Sequence, residues 1–258
     1  MKITIIGAGN MGGAIAQGLA KGRLVDVADI TISDSSELRL QELQKEYPLM
    51  QVARDNQDAI READIIILAV KPWLVKPVLE TLSFHPGQIL ASIAAGVTFE
   101  QLVEAVGDAE MTMFRLVPNT AISQMESMTL IASRNATTEE EQFFVELFGE
   151  MGTAMLIQES QIAATTALTS CGIAYVLKYI QAAMQAGVEM GIYPKDAQKM
   201  VAQSVKGAAA LLRNNEETHP SIEIDKVTTP GGITIKGINE LEHAGFSSAI
   251  IRAMKASR

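Results

Sequence analysis

The feature that most restricts the fold of this chain lies at its amino end. A short β-branched run, Lys2-Ile3-Thr4-Ile5-Ile6, leads directly into Gly7-Ala8-Gly9-Asn10-Met11-Gly12, and a helical pattern over Asn10–Lys21 begins at once. Glycines at this spacing, between a strand and a helix, divide three tasks among them. The first permits the tight turn, the second lets the backbone approach a ligand, and the third lets the helix pack on the strand. The helix start supplies amide donors and positive potential, so the ligand expected there is a pyrophosphate. The residues expected to hold it are Gly7, Gly9, Asn10, Met11 and Gly12.

The chain that follows supports this reading. Strand-like runs at Asp29–Ser33, Ile65–Val70, Gln88–Ile93, Met113–Leu116, Met128–Ala132 and Ala154–Ile157 alternate with helical patterns at Ser36–Tyr47, Asn56–Glu62, Leu74–Leu82, Phe99–Val106 and Thr138–Met151. Such alternation predicts βαβ units and a parallel sheet, so the fold class is α/β with an N-terminal Rossmann-type parallel sheet domain. After Gln158 the strand-like runs end, and Ala, Gln, Met and Leu dominate. Helical patterns run from Ser160 to Gly191, from Lys195 to Asn214, and near 220–226 and 232–258, with a polar loop at 214–220. The expected domains are therefore residues 1–157, binding a dinucleotide, and residues 158–258, all-helical.

At 258 residues the chain is long enough for two packed units. Its formal charge of −9 argues against nucleic acid or an anionic membrane as a partner, but not against a small anionic substrate. The longest apolar stretch carries Lys178, Gln181, Gln185 and Glu189 at helical spacing, which predicts a buried helix and no membrane span. A single cysteine, Cys171, and an opening run too short for a signal core point to a cytoplasmic protein. The long helix collects small residues on one face (Ala182, Ala183, Ala186, Gly187, Gly191), and a lone helical layer would leave apolar stripes exposed. A homodimer is the expected remedy, with mutual wrapping of the helices as the alternative.

Several further positions invite chemistry. Asp34, at the end of the second strand, is placed to accept the ribose hydroxyls of NAD and to repel the 2′-phosphate of NADP. It could equally be a turn or cap residue, while Ser33, Ser35, Ser36 and Arg39 could serve a phosphate. Ala69-Val70-Lys71-Pro72 ends the strand at Ile65–Val70, so Lys71 reaches the ligand edge of the sheet or merely precedes a strand-terminating proline. Ala94-Ala95-Gly96-Val97 ends the next strand; Ala95 and Gly96 leave room for a ribose, or pack tightly. Arg115, in Arg115-Leu116-Val117-Pro118-Asn119, needs a carboxylate from a ligand, a nearby acid or a structural pair. Thr228-Thr229-Pro230-Gly231-Gly232-Ile233-Thr234 is a glycine turn entering a helix, either an anion pocket or a capped turn. Cys171 has no neighbouring histidine, and His85, His219 and His243 show no metal-ligand spacing, so no metal is expected.

Taken together, Gly7–Gly12, Ala69–Pro72, Ala94–Val97, Arg115–Asn119 and Val227–Thr234 resemble the pyrroline-5-carboxylate reductase family over essentially the whole chain. The resemblance implies reduction of a cyclic imine to proline with NADPH or NADH as cofactor, and an all-α second domain that pairs two subunits. It also implies assembly of dimers into decamers. Thr229, Gly231, Gly232 and Thr234 would cradle the substrate, with Thr234 near the imine nitrogen; Glu217 corresponds to an acid beside that loop. Asn56 would contact the adenosine end, while Lys71, with Thr234, would line the catalytic cleft. Two departures stand out. The family's Gly-Ser-Gly-Pro-Ala-Tyr run reads Ser170-Cys171-Gly172-Ile173-Ala174-Tyr175, losing the proline that breaks the helix, and Ile233 replaces a small or hydroxylated residue.

Two rivals share the first domain. A β-hydroxyacid dehydrogenase would need a lysine base, for which Lys178 is the candidate. A non-enzymatic redox sensor would bind dinucleotide without the Pro230–Thr234 turn.

Overall fold

The computed structural model describes residues 1–215 and 217–258, which form two compact units, Met1–Ser170 and Cys171–Arg258. In the first unit the strands are β1 (Ile3–Ile6), β2 (Ile30–Ser33), β3 (Gln51–Ala53), β4 (Ile65–Leu68), β5 (Ile89–Ser92), β6 (Met113–Val117), β7 (Ser127–Arg134) and β8 (Gly152–Leu156). Between and after them come α1 (Asn10–Lys21), α2 (Glu37–Glu46), α3 (Asn56–Ile60), α4 (Val75–Leu79), α5 (Phe99–Val106), α6 (Thr138–Gly149) and α7 (Ile162–Thr166). The strands make one sheet in the order β3-β2-β1-β4-β5-β6-β7-β8. Its chain reversal between β1 and β4 is the crevice where open α/β sheets take their ligands.

Strands β1 and β4 are buried at every position, which is why they read as nearly continuous Ile and Leu runs, the one polar residue, Thr4, donating its hydroxyl to the Ala59 carbonyl. Alternate residues serve opposite faces. Ile65 and Ile67 join a core with Ile15, Leu19, Phe114, Phe144 and Phe148, while Ile66 and Leu68 join one with Val75, Leu79 and Leu102. The rings of Phe114 and Phe144 stack at 3.7 Å between centroids.

Two features depart from the expected strands and their parallel pairing. Strand β3 carries no strand-like sequence; three residues at the sheet edge, with Gln51 exposed, hold their place by pairing with β2. Strand β7 runs antiparallel to β6 because the connection over 118–126 is too short for a parallel crossover.

By packing, the first compact unit extends to Ser170. Ile162 is buried in the core beside Val97, Phe99 and Leu102, and Ala167 is buried as well, so tertiary packing carries the first unit to Ser170.

The second unit holds α8 (Gly172–Glu189), α9 (Pro194–Arg213), α10 (Pro220–Val227), α11 (Ile233–His243) and α12 (Phe246–Ala256). Helices α8 and α9 form a hairpin that turns at Gly191, where φ is +92°. They meet closely at Gly187, whose added Cβ would stand 3.3 Å from the Ala197 Cβ. The single helix expected over 232–258 is two helices, because Gly245 adopts φ +78°, a conformation that glycine enters without penalty. Within the expected loop 214–220, Glu216 lies outside the described residues.

The helix expected from Ser160 to Gly191 contains a π-helical turn over Ala167–Cys171, a local widening just before the position where the family carries its proline. The Asn119 side-chain amide donates to the Thr169 carbonyl there at 3.4 Å. Nor is the apolar stretch buried as expected. Over Glu159–Glu189 an 18-residue window reaches a mean hydropathy of 1.2, yet only 17% of it is buried within this chain. In α8 the buried residues are Gly172 and Gly187.

Candidate active site

The carboxyl ends of β1, β2, β4 and β5 bring Gly7–Gly12, Asp34 and Ser35, Ala69–Pro72, and Ala95 and Gly96 to one edge of the first unit. The three glycines of the first turn are required for different reasons. Gly7 has φ +107°, and a Cβ on it would lie 2.6 Å from the Ala69 carbonyl oxygen. At Gly12 a Cβ would stand 1.9 Å from the Gly7 carbonyl oxygen and 2.9 Å from the Ala69 Cβ. Ala69 therefore locks the turn, as a small residue must. Gly9 is different: a Cβ there meets only Arg39 Nη1, at 3.7 Å. Protein packing does not demand glycine at this position, so the open space beside it fits a closely approaching ligand. The first intrahelical bond of α1 runs from Gly13 N to Gly9 O, leaving the amides before it, including those of Asn10 and Met11, as the donors of a helix start.

Asp34 has both oxygens engaged with backbone. Oδ2 accepts from Ala8 N and Oδ1 from Ser36 N, each at 2.7 Å. The carboxylate thus ties the glycine turn to the end of β2, and its remaining lone pairs face a half-buried setting. Arg39 is exposed and, among the described residues, has no ion-pair partner; its guanidinium lines a cavity of about 540 Å³ with Ala8, Gly9 and Asn10. Asn56 accepts from the buried Ser33 hydroxyl at 2.7 Å, which fixes the start of α3 beside the same strand end. Lys71 is exposed, and its carbonyl accepts from Leu74 N in the 3-10 turn opened by Pro72. Gly96 has φ +77°, turning the chain between β5 and α5.

In the second unit Thr229, Gly231, Gly232 and Thr234 occupy one turn. Gly232 N donates to the Thr229 carbonyl at 2.9 Å, and Gly231 has φ +74° with open space where a Cβ would stand. Gly232 is the N-cap of α11 with no side-chain cap, and Thr234 is exposed in the first turn of that helix. Glu217 lies in a separate exposed turn before α10, whose N-cap is His219 accepting from Ser221 N. Lys178, the base a hydroxyacid dehydrogenase would need, is exposed and donates to Gln181 Oε1 at 2.8 Å.

The sequence left the partner of Arg115 open; it is the acid Glu159, at 2.6 Å from Arg115 Nη1. Local pattern could not have named Glu159, which lies 44 positions away and beyond the last strand. The helix start after Gly9 was legible from the glycine motif, whereas the packing of Ala69 against Gly7 and Gly12 is visible only in the structure.

A pyrophosphate-shaped turn at the switch point of a doubly wound sheet defines an NAD(P)H-dependent oxidoreductase. The family model "NADP oxidoreductase coenzyme F420-dependent" matches residues 2–96, and "Pyrroline-5-carboxylate reductase dimerisation" matches 159–258. Among curated relatives, pyrroline-5-carboxylate reductase from Methanosarcina acetivorans is 38% identical over 264 residues, covering 100% of this chain and 97% of its own. That from Escherichia coli (strain K12) is 35% identical over 256 residues, with 98% and 94% covered. The chain spans 48% of the length of pyrroline-5-carboxylate reductase 1 from Dictyostelium discoideum, at 34% identity over 99% of this chain. Among solved structures, 1-pyrroline-5-carboxylate reductase from Streptococcus pyogenes has a TM-score of 0.86 at 32% identity, with 100% of this chain and 98% of that one covered. Pyrroline carboxylate reductase from Plasmodium falciparum with NADP bound has a TM-score of 0.90 at 26% identity, covering 100% and 95%. The chain belongs to the pyrroline-5-carboxylate reductase family.

Proposed function

We propose that this protein reduces 1-pyrroline-5-carboxylate to proline, the closing reaction of proline biosynthesis, at the expense of NAD(P)H. The observation that carries the reading is the open second glycine: Gly7 and Gly12 are enforced by protein atoms, whereas Gly9 is left bare towards a ligand. The bound dinucleotide supplies the hydride; the protein has to bind, orient and exclude water. The amides of Gly9, Asn10, Met11 and Gly12 hold the pyrophosphate, and Asp34, Ser35 and Asn56 attend the adenosine ribose. Ala69, Val70, Lys71, Pro72, Ala95 and Gly96 line the nicotinamide side, with Lys71 contributing positive charge. Thr229, Gly231 and Gly232 receive the substrate carboxylate, Glu217 borders that loop, and the Thr234 hydroxyl bonds the ring nitrogen. A protonated cyclic imine is already electrophilic, so no strong base or nucleophile is required, in keeping with the absence of a His–Asp pair from the motifs.

A second copy of the chain covers the exposed apolar surface of α8, and dimers assemble further, up to a decamer. The family's dimerisation segment over 159–258 supports the pairing. The lone cysteine fits a cytoplasmic location.

The test is oxidation of NADPH and of NADH followed at 1-pyrroline-5-carboxylate saturation, beside a 3-hydroxyisobutyrate assay. Turnover with the imine alone is expected; turnover with the hydroxyacid alone would overturn the reading. Thr234→Val keeps the shape and removes the hydroxyl. Leaving a buried partner unsatisfied costs about 1–3 kcal/mol, so kcat/KM should fall roughly tenfold to a hundredfold with dinucleotide affinity unchanged. A lowered Tm with intact turnover would make Thr234 a helix-start residue only.

A further inference from the structure

The turn that follows β5 is anchored from an unexpected distance. Helix α5 opens with a complete capping box, in which Thr98 Oγ1 accepts from Gln101 N and the Gln101 side chain accepts from Thr98 N. That box leaves the Phe99 amide as a helix-start donor with no intrahelical acceptor. Phe99 N donates to Glu159 Oε1 at 2.9 Å, across 60 positions of sequence. The same oxygen accepts from Arg115 Nη1 on β6, and the Arg115 guanidinium lies 5.9 Å from the centre of the Phe99 ring. The Arg115 side chain is only 9% exposed and that of Glu159 31%.

One carboxylate oxygen thus fastens three parts of the chain: the end of the Ala95–Gly96 turn, strand β6, and the first residue of the family's dimerisation segment. The capping box does not supply this bond, so the buried Phe99 amide takes its acceptor from outside the helix. Burying an arginine at this point needs a carboxylate, but not one that also reaches an amide next to the turn.

We propose that Glu159, oriented by Arg115, is a positioning residue for hydride transfer, holding the Ala95–Gly96 turn in the place that the nicotinamide side of the cofactor requires. The assignment rests on the imine reduction proposed above. It separates two properties of the first unit: the glycine turn sets how tightly the dinucleotide binds, and the Glu159 anchor sets how well its reactive end is aimed. Geometry of this kind acts on kcat, because small misplacements of reacting atoms cost rate and leave ground-state binding intact.

The test uses the full-length protein and Glu159→Gln, Glu159→Ala and the double variant Arg115→Leu/Glu159→Leu. The double variant guards against misfolding, since removing both charges avoids an uncompensated buried arginine. Each is measured for kcat and KM in imine reduction, for dinucleotide Kd by fluorescence titration, and for the primary isotope effect with the reduced cofactor deuterated at the transferred position. In Glu159→Ala and in the double variant, kcat should fall about tenfold, with Kd and KM within roughly threefold and a larger isotope effect on kcat. The amide oxygen introduced by Glu159→Gln still accepts from Phe99 N, so this variant should recover kcat to within about threefold of the parent. Folded variants with parental kcat, a Glu159→Gln variant that recovers nothing, or losses of kcat that follow losses of dinucleotide affinity would overturn the proposal. A parent protein inactive on the imine would refute the underlying reaction, and that result is visible before any variant is assayed.

Discussion

The two units of this protein bury their apolar residues by different means. In Met1–Ser170 the sheet is covered on both faces, and Phe114, Phe144, Phe148 and nearly every Ile of β1, β2 and β4 are out of solvent. In Cys171–Arg258 the residues buried within the chain are few, Gly172, Gly187 and Ala197 among them. Large side chains such as Leu177, Tyr179, Val188, Met200 and Leu211 stand at least 45% exposed. A β-sheet with crossover helices closes its own core. A set of helices with apolar residues on several faces does not, and it becomes stable by adding a second copy of itself.

The sharpest way to probe the self-contained unit is to compare two glycines of one turn. Gly12→Val forces a side chain against the Gly7 carbonyl, an overpacking that should cost about 3 kcal/mol and lower Tm by roughly 6–12 °C, with dinucleotide binding lost as well. Gly9→Val meets only the mobile end of the Arg39 side chain and should keep Tm within about 4 °C while abolishing binding. Thermal melts with fluorescence titration distinguish the two; equal melting losses would mean that Gly9 is a packing residue.

A second comparison places the same charge on each unit. Leu38 on α2 is 66% exposed and Leu177 on α8 is 57% exposed, so exposure in the single chain does not separate them. Leu38→Glu should leave the mass in solution unchanged, because that face meets only water. Leu177→Glu should convert the assembly to smaller species by light scattering, since an unpaired charge would be buried in the joint. An unchanged mass for both would show that the stripe containing Leu177 is not where copies meet.

The smallest effect concerns cofactor choice. Asp34→Ser removes both a negative charge beside the glycine turn, where the proposed function places the ribose, and the acceptor for Ala8 N. The NADPH-to-NADH ratio of kcat/KM should rise by about threefold to tenfold, with both values falling because the glycine turn loses its tie to β2. If the ratio stays fixed while both values fall, Asp34 serves the backbone alone.

How far the site was readable depended on whether its parts are neighbours in sequence. Gly7–Gly12, Ala69–Pro72 and Thr229–Thr234 were legible as turns, because each has a local geometry that demands particular small or rigid residues. Arg115 was legible as a charge needing a partner, but Glu159 was not, since the pairing exists only after β6, α5 and the chain beyond β8 have packed together. The π-turn at Ala167–Cys171 was hidden for a similar reason: nothing in the local pattern marks the wider winding, and Asn119, distant in sequence, bonds to one of its carbonyls.

By itself, the sequence determined the α/β order of the first half, the glycine turn, the helical character of the second half and the family, because periodicity and turn chemistry act over a few residues. Tertiary structure alone decided the rest. It enlisted Gln51–Ala53 as an edge strand, turned β7 against β6, packed Ile162 and Ala167 into the first unit, and set Asp34 and Glu159 to hold backbone amides. Each of these depends on hydrogen-bond donors and apolar surfaces that are far apart in the chain, and they acquire partners only when the sheet is assembled.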